Sequence, residues 1–123
     1  MHDIPQISNA EWRVMKIIWA NSPITANEVI EKLENNTPWK PKTIKTLIRR
    51  LLDKKVLDFH REGKSYLYFP VVSEKDCVRT ESEIFLKKIF NGSFNLMLAN
   101  FIEEQRLSEE EIEELKNIID NRK

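Results

Sequence analysis

The sequence predicts a mainly α-helical chain with one small β-hairpin, and three observations predict it. Apolar residues recur at helical spacing in six segments. The period shortens toward two in one stretch only, residues 56–71. Three Ser/Thr-x-x-Glu boxes, at Ser8–Glu11, Thr25–Glu28 and Ser108–Glu111, mark helix starts.

In the first box the Ser8 hydroxyl accepts from the backbone N–H three residues on, and Glu11 reaches back. Trp12, Met15, Ile18 and Trp19 follow at helical spacing, with Val14 and Ile17 on a neighbouring stripe. Asn21-Ser22-Pro23 ends this helix. Thr25 and Glu28 open a second helix whose short apolar face is Val29, Ile30 and Leu33. Asn35-Asn36-Thr37-Pro38 closes it. Pro41 suits the first position of a third helix, where its missing N–H costs nothing. Ile44, Leu47, Ile48 and Leu51 form its buried stripe, and Lys54 and Lys55 close it where cations suit the helix dipole.

Residues 56–61 then read as a strand, Glu62-Gly63-Lys64 as a turn in which Gly63 takes positive φ, and residues 65–71 as a second strand rich in aromatics. Ser73 to Asp76 resembles a cap for a fourth helix running to about Phe90, where Asn91-Gly92 is a stop with a left-handed glycine. Ser93 caps a fifth helix. The third box starts a sixth, with Ile112, Leu115, Ile118 and Ile119 on its apolar side. The expected division is residues 1–72 and residues 73–123.

With 41% hydrophobic and 33% charged residues, the chain is globular rather than disordered. Charge interrupts every apolar stretch, so no membrane insertion is expected. Met1-His2-Asp3-Ile4-Pro5 has neither the basic nor the apolar region of a signal peptide. Cys77 is the one cysteine and has no partner for an intrachain disulfide. Together these features point to the cytoplasm. The zero net charge hides an asymmetry. Residues 1–72 hold 12 basic and 8 acidic side chains, whereas residues 73–123 hold 8 and 12. Within the first part, residues 37–64 hold 9 basic against 3 acidic, which suggests an anionic partner at that end.

Three helices followed by a hairpin is the order of a winged helix-turn-helix, whose third helix enters the DNA major groove while the hairpin tip touches the backbone or minor groove. The exposed face of the third helix carries what that task needs. Lys42, Lys45, Arg49 and Arg50 can neutralise phosphates or donate to guanine edges. Thr43 and Thr46 are short enough for close approach and can meet a thymine methyl. Arg61 and Lys64 flank Gly63 at the wing tip, where phosphates lie. A merely solvated helix face normally mixes the signs of its charges.

The C-terminal helices hold Phe85, Leu86, Ile89, Phe90, Phe94, Met97, Leu98, Phe101, Ile102, Ile112 and Leu115, too many large apolar groups for so short a unit to bury alone. Pairing with a second copy buries them and presents two recognition helices to a palindrome. The alternative is that they fold back on the N-terminal part. Enzyme chemistry finds no support. His2 and His60 stand apart, Cys77 lacks the spacing of a zinc ligand, the acids of residues 109–114 read as a solvated face, and two glycines make no phosphate loop. No cofactor or metal is expected.

The run Ile7-Ser8-x-Ala10-Glu11-Trp12-x-Val14-Met15-x-Ile17-Ile18-Trp19, with Ala26-Asn27-Glu28-Val29-Ile30 and Trp39-x-Pro41-Lys42-Thr43-Ile44-x-Thr46-Leu47, resembles the BlaI/MecI family of penicillinase and methicillin-resistance repressors. Arg50-Leu51-x-x-Lys54, Phe94-Asn95, Asn100-Phe101 and Leu107-Ser108-x-x-Glu111-Ile112-x-Glu114-Leu115 extend the similarity to nearly the whole chain. The resemblance implies a homodimeric repressor of β-lactamase or related resistance operons that reads double-stranded operator DNA through Lys42, Thr43, Lys45, Thr46 and Arg50. It also implies a membrane sensor-transducer protease pathway that triggers cleavage at a bond matching Asn100-Phe101. That bond is expected to be helical and buried, so local opening must precede cutting. A cut between the fifth and sixth helices would remove the last apolar face from the dimer and weaken operator binding.

Two positions depart from the family pattern. Lys40 replaces the common serine N-cap, which either weakens the cap or frees Lys40 for a phosphate. Lys45 replaces the common arginine. Lysine cannot make the same two-pronged contact with guanine, so a different operator preference is expected. Two other functions compete with this one. A repressor of the same fold that answers copper would carry a C-terminal cysteine cluster, and residues 119–123 have none. A winged-helix protein-interaction module would carry a mixed or acidic third helix.

Overall fold

The computed structural model describes residues 4–122. Met1-His2-Asp3 and Lys123 lie outside the described residues, and with them the expectations placed on the first residues and on His2. The elements run α1 (Asn9–Asn21), α2 (Ala26–Glu34), α3 (Pro41–Asp53), β1 (Leu57–Glu62), β2 (Ser65–Pro70), α4 (Glu74–Phe90), α5 (Phe94–Glu103) and α6 (Glu109–Asp120). The chain divides into two compact units, Met1–Glu81 and Ser82–Lys123. The division falls inside α4 rather than at its start, because Cys77, one turn into that helix, is buried in the core of the first unit.

In the first unit both expected capping boxes close. Ser8 Oγ accepts from the Glu11 N–H at 3.1 Å and Glu11 accepts from the Ser8 N–H at 2.8 Å, and Thr25 and Glu28 repeat the pattern. The core is built from Val14, Met15 and Ile18 of α1, Val29 and Leu33 of α2, and Ile44, Leu47, Ile48 and Leu51 of α3, joined by Ile7, Ile24, Val56, Leu57 and Cys77. All four expected core positions of α3 are buried. On α1 the buried stripe is rotated from the expected one: Val14 is buried, while Trp12 and Trp19 are half-buried. The two indoles meet edge-on at 5.5 Å, and Trp19 Nε1 donates to the Val72 carbonyl at 3.0 Å. A ring that needs a polar partner stays at the rim, and the smaller valine goes inside.

α3 ends without glycine. The Val56 N–H returns to the Leu51 carbonyl and the Lys55 N–H to that of Leu52, the Schellman pattern, with Lys55 itself left-handed at φ 63°. The hairpin then pairs Leu57 with Pro70 through Glu62 with Ser65. Glu62, expected in the turn, thus belongs to β1. Gly63 and Lys64 form a two-residue loop, with Gly63 at φ 62°. The expected strand residues Val56 and Val71 fall just outside the strands. One further pairing has no local signal in the sequence. Ile24, between α1 and α2, exchanges both backbone hydrogen bonds with Tyr68, at 3.0 and 2.8 Å, and docks the hairpin against the start of α2.

The second unit holds the rest of α4, together with α5 and α6. Asn91 and Gly92, both at positive φ, end α4, and Ser93 and Ser108 cap the two helices that follow. Among the described residues of this unit none is buried. Phe85, Ile89, Phe94, Phe101 and Ile102 are exposed, and Leu86, Phe90, Met97, Leu98, Ile112 and Leu115 are half-buried.

Candidate nucleic-acid interface

α3 is fixed at both ends before any side chain of its outer face is considered. At its entry Arg13 donates to the Asn36 carbonyl at 3.2 Å and lies over the Trp39 ring at 5.4 Å, and the Thr37 hydroxyl donates to the Leu33 carbonyl. At its exit Lys54, the C-cap, donates to the buried Glu11 carboxylate and to the Gln6 carbonyl. Sequence reasoning placed Lys54 only against the helix dipole. The ion pair escapes it because the partners are far apart in the chain. Lys40, as N-cap, makes no side-chain hydrogen bond to the helix, as its chemistry requires.

On this fixed helix Lys42, Thr43, Lys45, Thr46, Arg49 and Arg50 are all exposed. Among the described residues none of the four cations makes an ion pair with an acid. The Thr46 hydroxyl donates to the Lys42 carbonyl one turn back at 3.0 Å, so its proton is occupied and its oxygen remains available as an acceptor. The two wing residues differ. Lys64 stands exposed in the loop, whereas Arg61 folds back on its own hairpin, donating to the Gly63 carbonyl at 3.2 Å with its guanidinium 5.9 Å from the Tyr66 ring. Only part of the Arg61 fork is left for a ligand.

Between α3, the first turn of α2 and the wing lies a cleft of about 510 Å³. Lys45 and Arg49 form one wall, Thr25 to Asn27 another, and Lys64, Tyr66 and Tyr68 the third, over a floor that includes Ile48 and Leu52. Tyr66 and Tyr68 share one face of the hairpin with Phe59, whose ring meets them at 4.9 and 5.9 Å. Sequence reasoning did not single out Asn27, Tyr66 or Tyr68. The period-two alternation of β2 puts both tyrosines on one face, but which face meets α3 depends on the Ile24 pairing.

Other reactive groups are not assembled. Cys77 is buried, and burial first, then the carboxylates of Asp76, Glu81 and Glu74, pushes its thiol above the ordinary range and away from the reactive thiolate. Among the described residues no group of three His, Cys, Asp or Glu side chains could hold a metal ion, and no helix is long and apolar enough to cross a membrane. The Asn100–Phe101 bond lies within α5, not between α5 and α6. Its carbonyls still accept, from Glu104 at 3.1 Å and from Arg106 at 2.8 Å. The bond is helical as expected but not buried in the single chain, since both residues are exposed.

The family model described as penicillinase repressor matches residues 7–121. The penicillinase repressor of Bacillus licheniformis is 46% identical over 123 residues, covering 100% of this chain and 96% of that protein. The methicillin resistance regulatory protein MecI of Staphylococcus aureus strain N315 is 42% identical over 117 residues, 95% of each. Among solved structures, the monomeric form of Bacillus licheniformis BlaI in complex with the blaP half-operator is 49% identical. That match covers 62% of this chain and 93% of that one, with a TM-score of 0.55.

Proposed function

The chain belongs to the penicillinase repressor family, and from that premise we propose that it is a transcriptional repressor of β-lactamase or related resistance operons, gripping operator DNA with α3 and the wing. It is a DNA-binding regulator and not an enzyme. The observation that carries this conclusion is α3 itself, with four buried apolar residues on one side and four exposed cations free of acids, among the described residues, on the other. The similarity to a repressor solved on its half-operator supports duplex DNA as the ligand.

A second copy of the chain is the partner that best covers the C-terminal helices. Among the described residues from Ser82 onward none is buried, and Phe85, Ile89, Phe94, Phe101 and Ile102 are exposed there. Exposed aromatic and aliphatic groups on this scale mark an interaction surface. Two-fold pairing would place one α3 on each half of a palindrome, converting the second contact into an intramolecular event. Induction by a membrane sensor-protease pathway, ending in a cut at Asn100–Phe101 in the cytoplasm, completes the proposal. Because the bond sits inside α5, the last turn of that helix must open before a protease can grip it.

The test is a fluorescence-anisotropy titration of the full chain against a duplex that it has itself enriched from a random pool, with a scrambled duplex as control. Binding of the enriched palindrome at least about a thousand times more tightly than the scramble is expected. Equal weak binding to both, or no enrichment, would leave a winged helix used for protein contacts.

A further inference from the structure

α3 begins without a cap of its own. Ser8, Thr25, Ser73, Ser93 and Ser108 each accept a backbone N–H from the first turn of the helix that follows them. Lys40, the N-cap of α3, makes no such bond. The entry is held from α1 instead. The Arg13 guanidinium donates to the Asn36 carbonyl at 3.2 Å and lies 5.4 Å from the centre of the Trp39 ring, gripping the loop on both sides of Thr37. Thr37 is tied down in turn. Its N–H and its hydroxyl both donate to the Leu33 carbonyl at 3.0 Å, and its oxygen accepts from the Trp39 N–H at 3.3 Å. We propose that Arg13 is a positioning residue for operator recognition. Acting through Trp39 and this loop, it sets where the first turn of α3, with Lys42 and Thr43, meets the base edges. The inference rests on the DNA-binding function proposed above and adds a residue of α1 that the sequence did not single out.

The chemistry of the contact asks for arginine. A planar guanidinium can lie over an indole while its edge donates to a carbonyl, whereas an ammonium offers one compact charge. The base of the side chain is steady, since the next two residues of α1, Val14 and Met15, are fully buried. Trp39 itself packs against the core. No acid diverts the guanidinium, because Arg13 makes no ion pair among the described residues. Hydrogen bonds to base edges tolerate only a few tenths of an ångström, while long cationic side chains follow a phosphate through larger shifts. A loosened entry to α3 therefore costs sequence preference before it costs attraction to DNA.

The experiment measures affinity of the full chain for the self-enriched duplex and for a random one, at several salt concentrations. It compares the wild type with Arg13→Gln, Arg13→Lys, Lys40→Ser and the double variant Arg13→Gln with Lys40→Ser. Arg13 and Lys40 are exposed, glutamine suits a helix, and thermal melts followed by circular dichroism confirm folding. Arg13→Gln should lower the preference for the enriched duplex by about three- to tenfold, with the random duplex and its salt dependence unchanged. Arg13→Lys should keep part of that preference. Lys40→Ser supplies the missing cap from within α3, so it should restore preference in the Arg13→Gln chain by a larger factor than it changes the wild type. Amide exchange at Thr43 and Ile44, whose N–H groups donate to the Lys40 carbonyl, should quicken in Arg13→Gln and slow again in the double variant. If Arg13→Gln weakens both duplexes equally and lowers the slope of log affinity against log salt by about one, Arg13 is a phosphate contact. Positioning is then overturned while DNA binding stands. An unchanged preference, or a loss that Lys40→Ser does not repair, overturns it as well. If the wild type prefers no duplex at any salt concentration, the repressor function fails instead, and the role of Arg13 in recognition with it.

Discussion

Lys54, the C-cap of α3, donates through Nζ to the carboxylate of Glu11, the third residue of α1, which is only 2% exposed. The pair ties the start of one helix to the end of another. Lys54 also holds the Gln6 carbonyl at 2.8 Å, so the segment before α1 is fixed by the same ammonium. Replacing Lys54 by methionine removes the charge and leaves a carboxylate without its counter-ion in the core. The cost should be about 2 kcal/mol, less than the roughly 3–5 kcal/mol of a fully buried pair, because Lys54 keeps one side in water. Urea unfolding measures it directly, and an unchanged midpoint would show that the pair contributes nothing.

The same contact makes stability depend on acid. Burial alone would raise the Glu11 carboxyl, but the Lys54 hydrogen bond and charge and the Ser8 cap outweigh it and hold the group below its ordinary 4.5. A depressed pKa in the folded state means that the contribution is complete above about pH 4.5 and is lost as the pH falls through the folded value. Glu28 and Glu111, closing the other two boxes, are shifted in the same direction by the backbone and hydroxyl of Thr25 and Ser108. Stability should therefore be flat near neutrality and fall below pH 4.5. In Glu11→Gln that fall should be shallower, as read from urea midpoints between about pH 3 and 7.

Lys55 sits in the left-handed region at φ 63°, where a side chain is strained and glycine is not. Lys55→Gly should raise stability by about 0.5–1 kcal/mol, since the relief of strain exceeds the added freedom of the unfolded chain. A lower thermal midpoint would mean that the lysine makes a compensating contact.

Arg50 is exposed on α3 and outside the cleft. Arg50→Ala should weaken binding to the operator by about 1–3 kcal/mol and relax preference at one base position. Competition between the operator and single-base variants measures both effects. An equal loss on every sequence would reassign Arg50 to a phosphate.

A chain ending at Asn100 loses the last residues of α5 and all of α6. If the full chain pairs as proposed, this shortened chain should sediment as a monomer at concentrations where the full chain sediments as a dimer, and its operator affinity should fall with dimerisation. Normal dimerisation by the shortened chain would refute the proposed route of induction.

Much of this molecule was legible because its signals are local. All three boxes close, the four buried residues of α3 are those its spacing indicates, and the six residues of its outer face proposed to meet DNA are exposed. What escaped depends on distant partners. The Ile24–Tyr68 pairing, the Glu11–Lys54 contact and the cleft each join segments that the sequence does not mark as neighbours. Lys55 escaped for another reason. Its left-handed turn is imposed by the Schellman bonds, in a place where composition offers no glycine to announce it. Arg61 was located correctly on the wing, but a charge count cannot reveal that its guanidinium turns back onto the loop.

The C-terminal unit, with no buried residue among those described, also bears on how long a molecule survives. If the proposed pairing forms, a newly synthesised chain and one just parted from its twin would show the same bare apolar helices to proteases. Mass action would then tie lifetime to abundance, since paired chains would be covered and unpaired ones open to degradation. The level of such a protein would fall more than in proportion to its synthesis, and a gene held silent by it would respond more steeply than the loss of repressor alone predicts.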